Sequence, residues 1–347
     1  MAKRVLIALS GGVDSSAAAF LLKNQGYDVA GIRFKLFETE NKSEGRADTM
    51  SVADFLAIPF YELNLTKLFK EKVMDSFAES YLRGETPNPC VVCNEYIKFA
   101  QLFRFADENG YDHIATGHYA RSYFDTLAQK YYLKKAVDSQ KDQSYFLYTL
   151  TQEQLSRIIF PLGDLTKEEV KNLAEINGLP MKTKKESQDI CFINNKNYYQ
   201  FLEESYGITG EEGAFLDKYG TPLGKHKGHM RYTIGQRKGL GMSFPQPMFV
   251  AGKDAANNTV TLVEESELYK KRITVKNYSF TDSGIIDDSI RANIKIRYRQ
   301  TEQPGIVGKF DEKTLLVTFD CPQRAPASGQ SAVFYDGENV IGGGIIV

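Results

Sequence analysis

The sequence predicts an α/β protein: a doubly wound parallel sheet first, then a small unit of short strands, then a small β domain. Three observations predict it. Strand-like and helix-like segments alternate through about the first 125 residues, the pattern of a parallel sheet with crossover helices. Near residue 200 the texture changes to glycine-, proline- and lysine-rich short strands, as in GTPLGKHKGHMRYTIGQRKGLGMSFPQP. After about residue 268 the chain alternates apolar and polar residues: ITVKNYSF, RANIKIRY, KTLLVTF, QSAVFY and NVIGGGIIV. Boundaries near 197 and 268 divide it into 1–197, 198–268 and 269–347. No internal repeat or low-complexity tract interrupts it.

In order along the chain, RVLIAL (4–9) is a short apolar run of buried-strand type. Ser15 to Gln25 reads as a helix, with Asp14 or Ser15 as N-cap and Gly26 just past its end. DVAGIRF (28–34) and FYELNL (60–65) are the second and third strands. Thr66 to Arg83 reads as one long helix closed by Gly84, and Asn94 to Asn109 as another. DHIATGHY (112–119) begins as a strand, and RSYFDTLAQKYYLKKA (121–136) has the form of a hairpin. Thr166-x-x-Glu169 is a capping box opening a helix that ends near Gly178. In a parallel sheet of this kind, ligands bind in the loops at the carboxyl ends of the strands.

Composition excludes several classes. At 347 residues, 42% hydrophobic and 25% charged, the chain is an ordinary globular protein with room for two or three cores. No apolar run is long enough to span a bilayer, and the apolar part of MAKRVLIALSGG is too short for a signal peptide. These features predict a cytosolic protein with no membrane partner. Four cysteines are too few for a disulfide framework, so a C-x-x-C is more suited to chemistry or metal. A net charge of −1 argues against an overall electrostatic grip on nucleic acid, which would need local basic patches. One such patch is 221–240, with Lys225, Lys227, Arg231, Arg237 and Lys238 and no acidic residue of its own.

Two stretches carry chemistry. ALSGGVDSS (8–16) follows the first strand and opens the first helix. Gly11 and Gly12 permit a tight turn that brings backbone N–H groups close to a phosphate, and the helix N-terminus adds partial positive charge. Ser10 and Ser15 can donate hydroxyl hydrogen bonds, and Asp14 could hold Mg²⁺. The bland alternative, a glycine-rich turn with a cap, does not account for S-G-G-x-D-S after strand one. The loop lacks the G-x-x-x-x-G-K-[ST] of a Walker A motif. The second stretch is TPNPCVVCN (86–94). Its Cys90-x-x-Cys93 could be half a zinc site, a redox dithiol, part of an iron–sulfur site or a handler of activated sulfur.

The first loop resembles the PP-loop of the ATP pyrophosphatases, which cleave ATP between the α and β phosphates and adenylate a substrate oxygen. The succession SGGVDSS, GETPNPCVVCN, ATGHYA, KDQSYFL, SQDICFI, GKHKGHMRYTIGQRKGLG and RYRQ, in order over nearly the whole chain, resembles the tRNA-specific 2-thiouridylases. The resemblance implies a PP-loop doubly wound parallel sheet domain, a small central α+β domain and a C-terminal β-barrel, the last two gripping tRNA. It implies ATP-dependent replacement of O2 of the wobble uridine, position 34, by sulfur, with ATP and Mg²⁺ as cofactors and a persulfide or sulfide donor protein as partner.

By position, the resemblance places Ala8, Leu9, Ser10, Gly11, Gly12, Val13, Asp14, Ser15, Phe34 and Gly117 at ATP. It places Asn88, Pro89 and Cys90 at the target base, and His118, Lys141, Asp142, Gln143, Arg297, Tyr298 and Gln330 at tRNA. Cys93 takes the nucleophile position and Cys191 the persulfide position. This chemistry asks for a low-pKa thiolate and for two cysteines that meet in space. Cys90 stands where many relatives carry Asp, and IRFKLFE (32–38) lacks their Asn-Trp pair. Two mechanisms fit three thiols: a Cys191-to-Cys93 persulfide relay ending in a disulfide, or a 4Fe–4S cluster on Cys90, Cys93 and Cys191 with one open iron.

Other residues have bland readings. Cys321 and His113 read as structural, whereas His118 sits at a strand's ligand edge. His226 and His229 with Cys90 and Cys93 match no zinc-finger spacing. KTKK (182–185) reads equally as a solvated run or as a partner of Cys191. Two rival functions are a PP-loop amidating or ligase enzyme for a small molecule, and a non-catalytic tRNA-binding protein. The first leaves Cys93, Cys191 and the basic segment without a role; the intact SGGVDS argues against the second.

Overall fold

The computed structural model describes residues 2–37, 44–180, 190–193, 197–281 and 289–347. KTKK at 182–185 and the first part of SQDICFI lie outside them.

The parallel sheet is built from β1 (Arg4–Ala8), β2 (Asp28–Lys35), β3 (Phe60–Asn64), β4 (His113–Ala115) and, beyond the hairpin β5 (Arg121–Asp125) and β6 (Lys130–Lys134), β7 (Ile158–Ile159). Its order is β3-β2-β1-β4-β7, all parallel. Val5, Leu6 and Ile7 are fully buried, so both faces of β1 are covered and its apolar run needs no alternation. The chain proceeds from β1 toward β2 on one side and returns to β4 on the other. That reversal opens a crevice at the carboxyl ends of β1 and β4.

Helix α1 (Val13–Asn24) packs on the sheet through Ser15, Ser16, Ala17, Ala18, Ala19 and Leu22, small side chains that allow close approach. Its cap is Gly12, not Asp14 or Ser15 as the sequence suggested. The Ser15 hydroxyl instead accepts from Ser10 N (3.1 Å) and donates to Gly12 O (3.1 Å), while Asp14 is drawn to residues far along the chain. Helix α2 is Glu44–Phe55.

The expected helix from Thr66 is present but not uniform. In this helix, α3, a π-helical turn, Lys70–Met74, separates Thr66–Phe69 from Asp75–Leu82. The next helix, α4, starts five residues earlier than expected, at Pro89. It runs through Pro89–Val92, a π-helical turn Cys93–Phe99 and Ala100–Asn109. Asn88 caps it by accepting from Cys90 N (3.3 Å), and Pro89 occupies the first helical position, where its missing N–H costs nothing. N-P-C therefore starts a helix instead of a loop, and both cysteines are helical. Helices α5 (Gln152–Arg157) and α6 (Lys167–Ile176) each open on a full capping box, the second being Thr166 with Glu169 as expected.

The central unit holds α7 (Tyr198–Tyr206) and a four-stranded sheet, β10-β11-β8-β9, of β8 (Gly213–Leu216), β9 (Pro222–His226), β10 (Phe249–Asp254) and β11 (Thr259–Val263). Phe215, Tyr232, Leu240, Val250, Val260 and Leu262 form its core. The C-terminal strands are β12 (Tyr269–Phe280), β13 (Ser289–Lys295), β14 (Gln303–Lys309), β15 (Thr314–Arg324), β16 (Ser331–Asp336) and β17 (Asn339–Ile346). They close an antiparallel barrel in the order β12-β15-β14-β13-β16-β17, sealed by β17 against β12. The hairpin forms as expected, but β6 pairs with β17, so it extends the barrel's sheet (Val340 opposite Leu133) instead of the parallel one. None of the described helices is long and apolar enough to cross a membrane.

Candidate active site

At the crevice lies a cavity of about 640 Å³, within the range of small-molecule sites. Ala8, Leu9, Ser10, Asp14 and Ser15 line one wall, Phe34 on β2 another, and Gly117, His118, Gln143, Lys98 and Cys191 complete it. The nucleotide residues and a cysteine expected to handle sulfur therefore share one chamber.

The loop's shape comes from its own side chains. Gly11 has φ +74°, a left-handed conformation, and a Cβ there would lie 3.0 Å from Asp48 Cβ. Gly12 N donates to Ser10 Oγ (3.4 Å), and the Ser10 and Ser15 hydroxyls lie 3.1 Å apart. The first turn of α1, beginning at Val13, leaves N–H groups without helical acceptors, a cradle for phosphate oxygens. Gly117 abuts this turn: a Cβ would meet Ser15 N at 2.9 Å and Asp14 C at 3.0 Å. Its lack of a side chain thus serves strand-to-loop packing as well as access to a ligand.

Asp14 faces the cavity and is anchored from two sides. Lys167 Nζ lies 2.6 and 2.8 Å from its two oxygens, and the Tyr119 hydroxyl donates to Oδ1 at 2.8 Å. Neither partner was found from sequence. Lys167 is the first residue after the Thr166 cap, a position indistinguishable in sequence from a solvated helix start.

The cysteines sit at the other end. All four are free thiols; Cys93 is buried, and Cys90 and Cys191 reach the surface. Burial pushes up the thiols of Cys90 and Cys93, with Lys98 opposing the rise in both. Cys191 is pushed up to about 11 by burial, then by Cys93 and Cys90, again against Lys98. Each of the three thiols thus enters the electrostatics of another. The low-pKa thiolate that the sequence argument asked for is absent from this state, because desolvation outweighs the one ammonium nearby.

Lys98 is the second group that sequence reasoning missed. It lies five residues after Cys93, which in an α-helix points well away. In the π-helical turn Cys93–Phe99, with its wider spacing, five residues complete about one turn and bring Lys98 round to the cysteine face. His118 lies deep in the same cavity, its Nδ1 2.7 Å from Thr116 Oγ1 and its ring stacked on Phe99. Burial, then Lys98, hold its pKa well below the usual value, so at neutral pH it is a neutral imidazole.

Several residues expected at tRNA have structural work. Asp142 is buried; its oxygens accept from Ala136 N, Ser144 N and Ser144 Oγ within its own loop. Gln143 clamps Tyr119 through Oε1 (3.0 Å) and its own N–H (2.8 Å). Lys141 is half-buried, its N–H donating to Asp138. Arg297 donates to Ile234 O (3.1 Å) and Ala325 O (2.9 Å), tying the central unit to the barrel. Tyr298 packs on Phe146 at 4.5 Å between centroids, near enough to Cys90 for the thiol to influence its hydroxyl. Gln330 reaches the segment before Asn88 and Pro89, donating to Thr86 O at 2.8 Å.

In the basic segment, Lys225 pairs with Glu212 and Arg231 with Glu203, so acidic partners from outside 221–240 neutralise two of its five cations. Lys227, Arg237 and Lys238 are exposed. His229 is engaged by Asn258 and Leu82 O, and its partner in the zinc reading, His226, accepts from Gly228 N.

Three family models match in succession: a tRNA methyl transferase HUP domain over residues 3–195, a tRNA methyl transferase PRC-barrel domain over 199–264 and an aminomethyltransferase beta-barrel domain over 270–346. The tRNA-specific 2-thiouridylase MnmA of Clostridioides difficile is 44% identical over 355 aligned positions, covering 100% of this chain and 98% of that one. That of Acetivibrio thermocellus is 44% identical, covering 99% of each. The chain belongs to the tRNA-specific 2-thiouridylase family. Among solved structures, a U34-tRNA thiolase NcsA from Methanococcus maripaludis with its 4Fe–4S cluster is 22% identical, with a TM-score of 0.37 over 59% of this chain and 66% of that one, too distant to bear on the site. In this thiouridylase-family chain, the cavity brings together residues that the resemblance places at ATP with Cys191, which it places at the persulfide position.

Proposed function

We propose that this chain replaces O2 of the wobble uridine of tRNA with sulfur, at the cost of ATP cleaved to AMP and pyrophosphate. The observation that carries this reading is the single cavity lined by both the S-G-G-x-D-S loop and Cys191, beside Cys93 and Lys98. We keep the three-unit division 1–197, 198–268 and 269–347, with the hairpin of the first unit paired to the barrel of the third. A cytoplasmic setting and a persulfide or sulfide donor protein belong to the same reading.

In this reading the loop N–H groups and the first turn of α1 hold the departing pyrophosphate. Asp14, oriented by Lys167 and Tyr119, is the carboxylate that would hold Mg²⁺, which neutralises phosphate charge. Phe34 faces the base of the nucleotide. Adenylation turns a poor leaving oxygen into AMP. Cys191 carries the persulfide; the Cys93 thiolate attacks its inner sulfur, closing a Cys93–Cys191 disulfide and releasing hydrosulfide. Hydrosulfide adds at C2 and expels AMP, and an external dithiol then reduces the disulfide. Lys98 favours the thiolates that this sequence needs.

The relay needs two thiols that meet. A 4Fe–4S cluster with one open iron needs three, each thiolate on a different iron. The mutual influence of Cys90, Cys93 and Cys191 keeps the cluster as the second reading. Iron counting and tRNA thiolation after anaerobic reconstitution separate them. Normal thiolation by Cys90→Ala with a persulfide donor and no iron supports the relay. A dead Cys90→Ala, with wild-type activity tracking bound iron, supports the cluster.

A further inference from the structure

The segment leading into the cysteine helix, Leu82 to Asn88, is held from outside its own domain at successive backbone positions. His229 Nε2 lies 3.2 Å from Leu82 O, and the Lys253 ammonium donates to Glu85 O at 3.3 Å, both from the central unit. From the barrel, Ser328 O accepts Thr86 N–H at 2.7 Å. Gln330 Nε2 donates to Thr86 O at 2.8 Å and lies 3.4 Å from Pro87 O. Gly329, between them, has φ +88°, and a Cβ there would sit 3.0 Å from the N, C and O of Thr86. Two residues on, Asn88 caps Cys90 N. A short covalent and hydrogen-bonded path therefore joins the barrel turn to the backbone of Cys90.

We propose that the barrel turn Ser328–Gln330 sets the position of the Cys90–Cys93 helix for sulfur transfer, with Gln330 and Gly329 as positioning residues. This rests on the thiolation reading above. The Gln330 amide is directed at the Thr86 and Pro87 carbonyls, so it holds the cysteine segment from a position that the resemblance gives to tRNA. RNA seated on the central unit and barrel would press on the same elements that hold this strap.

The test is Gly329→Ala, whose added Cβ would press on the backbone of Thr86, with Gln330→Glu, which sets an acceptor against two carbonyls, as a second variant read by hydrogen exchange alone. Measured on the full chain are tRNA affinity, AMP release, thiolation at saturating tRNA, and amide hydrogen exchange at Thr86 and Cys90. A shift of the catalytic segment by about 1 Å predicts kcat for thiolation falling about ten- to a hundredfold. In Gly329→Ala the tRNA Kd should stay within about twofold and AMP release should continue, and in both variants exchange at both amides should accelerate. A weakened Kd with unchanged kcat in Gly329→Ala would overturn the proposal, as would unaltered exchange at Thr86 and Cys90 in both variants. If the wild type makes no thiouridine at all, the functional reading fails separately, and exchange at Cys90 still judges the strap.

Discussion

The two ends of the active cavity are built on different principles. The nucleotide end is assembled within one sheet: the loop after β1 shapes itself with Ser10 and Ser15, and Gly117 of the neighbouring strand end packs against it. The sulfur end is held by three regions of the chain, through Leu82, Glu85 and Thr86 from one side and the turn carrying Cys191 from another. A pre-formed cradle suits a phosphate, which needs fixed donors. In the proposed relay, thiols that pass a sulfur between them take their positions from partners in the central unit and the barrel. The resting chemistry agrees: burial raises all three thiols, so the sulfur end rests in its uncharged form.

The largest expected effect separates the two ends outright. Cys93→Ser and Cys191→Ser should each reduce thiolation to background while AMP still forms in the presence of tRNA, read by nucleoside analysis beside AMP assay. Loss of AMP formation in both would mean that the ends are not separable. Next is Asp14→Ala, which removes the carboxylate that lines the cavity beside the loop. Pyrophosphate release should fall about a hundredfold or more, on the scale of losing one pre-organised electrostatic group. Lys167→Met, which leaves Asp14 without its ammonium, should fall in the same direction by less.

Gly117→Ala tests self-assembly of the nucleotide end. Its Cβ would press on backbone at Ser15, not on a flexible side chain, so about 1–3 kcal/mol of stability should be lost along with ATP affinity. Calorimetry and nucleotide titration check it, and an unchanged KM for ATP would contradict the close fit. For the RNA grip, Arg237→Ala with Lys238→Ala should reduce the log–log salt slope of tRNA binding by about 2. Lys225→Ala should do less, because Glu212 already pairs with Lys225.

The smallest effect concerns Lys253, whose pKa burial pushes down from 10.5 to about 8, against a weaker pull from Glu85. The unfolded chain then holds this proton more tightly than the folded one. Stability should rise as pH climbs from about 8 toward 10.5, and the burial penalty is fully present below about 8. Lys253→Met should flatten that stretch of a plot of unfolding midpoint against pH, while loosening the strap on Glu85. An identical slope in the variant would contradict a buried ammonium at this position.

The contrast between the ends also explains what could be read from the sequence. The parallel sheet, the phosphate loop and the capping box at Thr166 are local patterns, and each is where the pattern placed it. The helix start at Pro89 was misplaced because N-P-C has the chemistry of a turn until Asn88 is seen capping Cys90. The clasps on Leu82, Glu85 and Thr86 join residues 147, 168 and 244 positions apart, beyond the reach of any periodicity. Lys98 was hidden because a π-helical turn, which no residue of Cys93–Phe99 announces, decides which face it shares. Asp142 and Arg297, which the resemblance places at tRNA, also organise a loop and an inter-domain contact, a role no local pattern announces.

The most direct test of the account is one incubation of the purified chain with ATP, Mg²⁺, unmodified tRNA and a persulfide donor. Thiolated uridine is measured in the digested tRNA, and nucleotide products in the same sample. The account predicts 2-thiouridine at position 34, with AMP and pyrophosphate formed alongside it and neither accumulating usefully without tRNA. ADP and phosphate as the main products, or AMP formed with a small-molecule acceptor and no thiolated uridine, would contradict it.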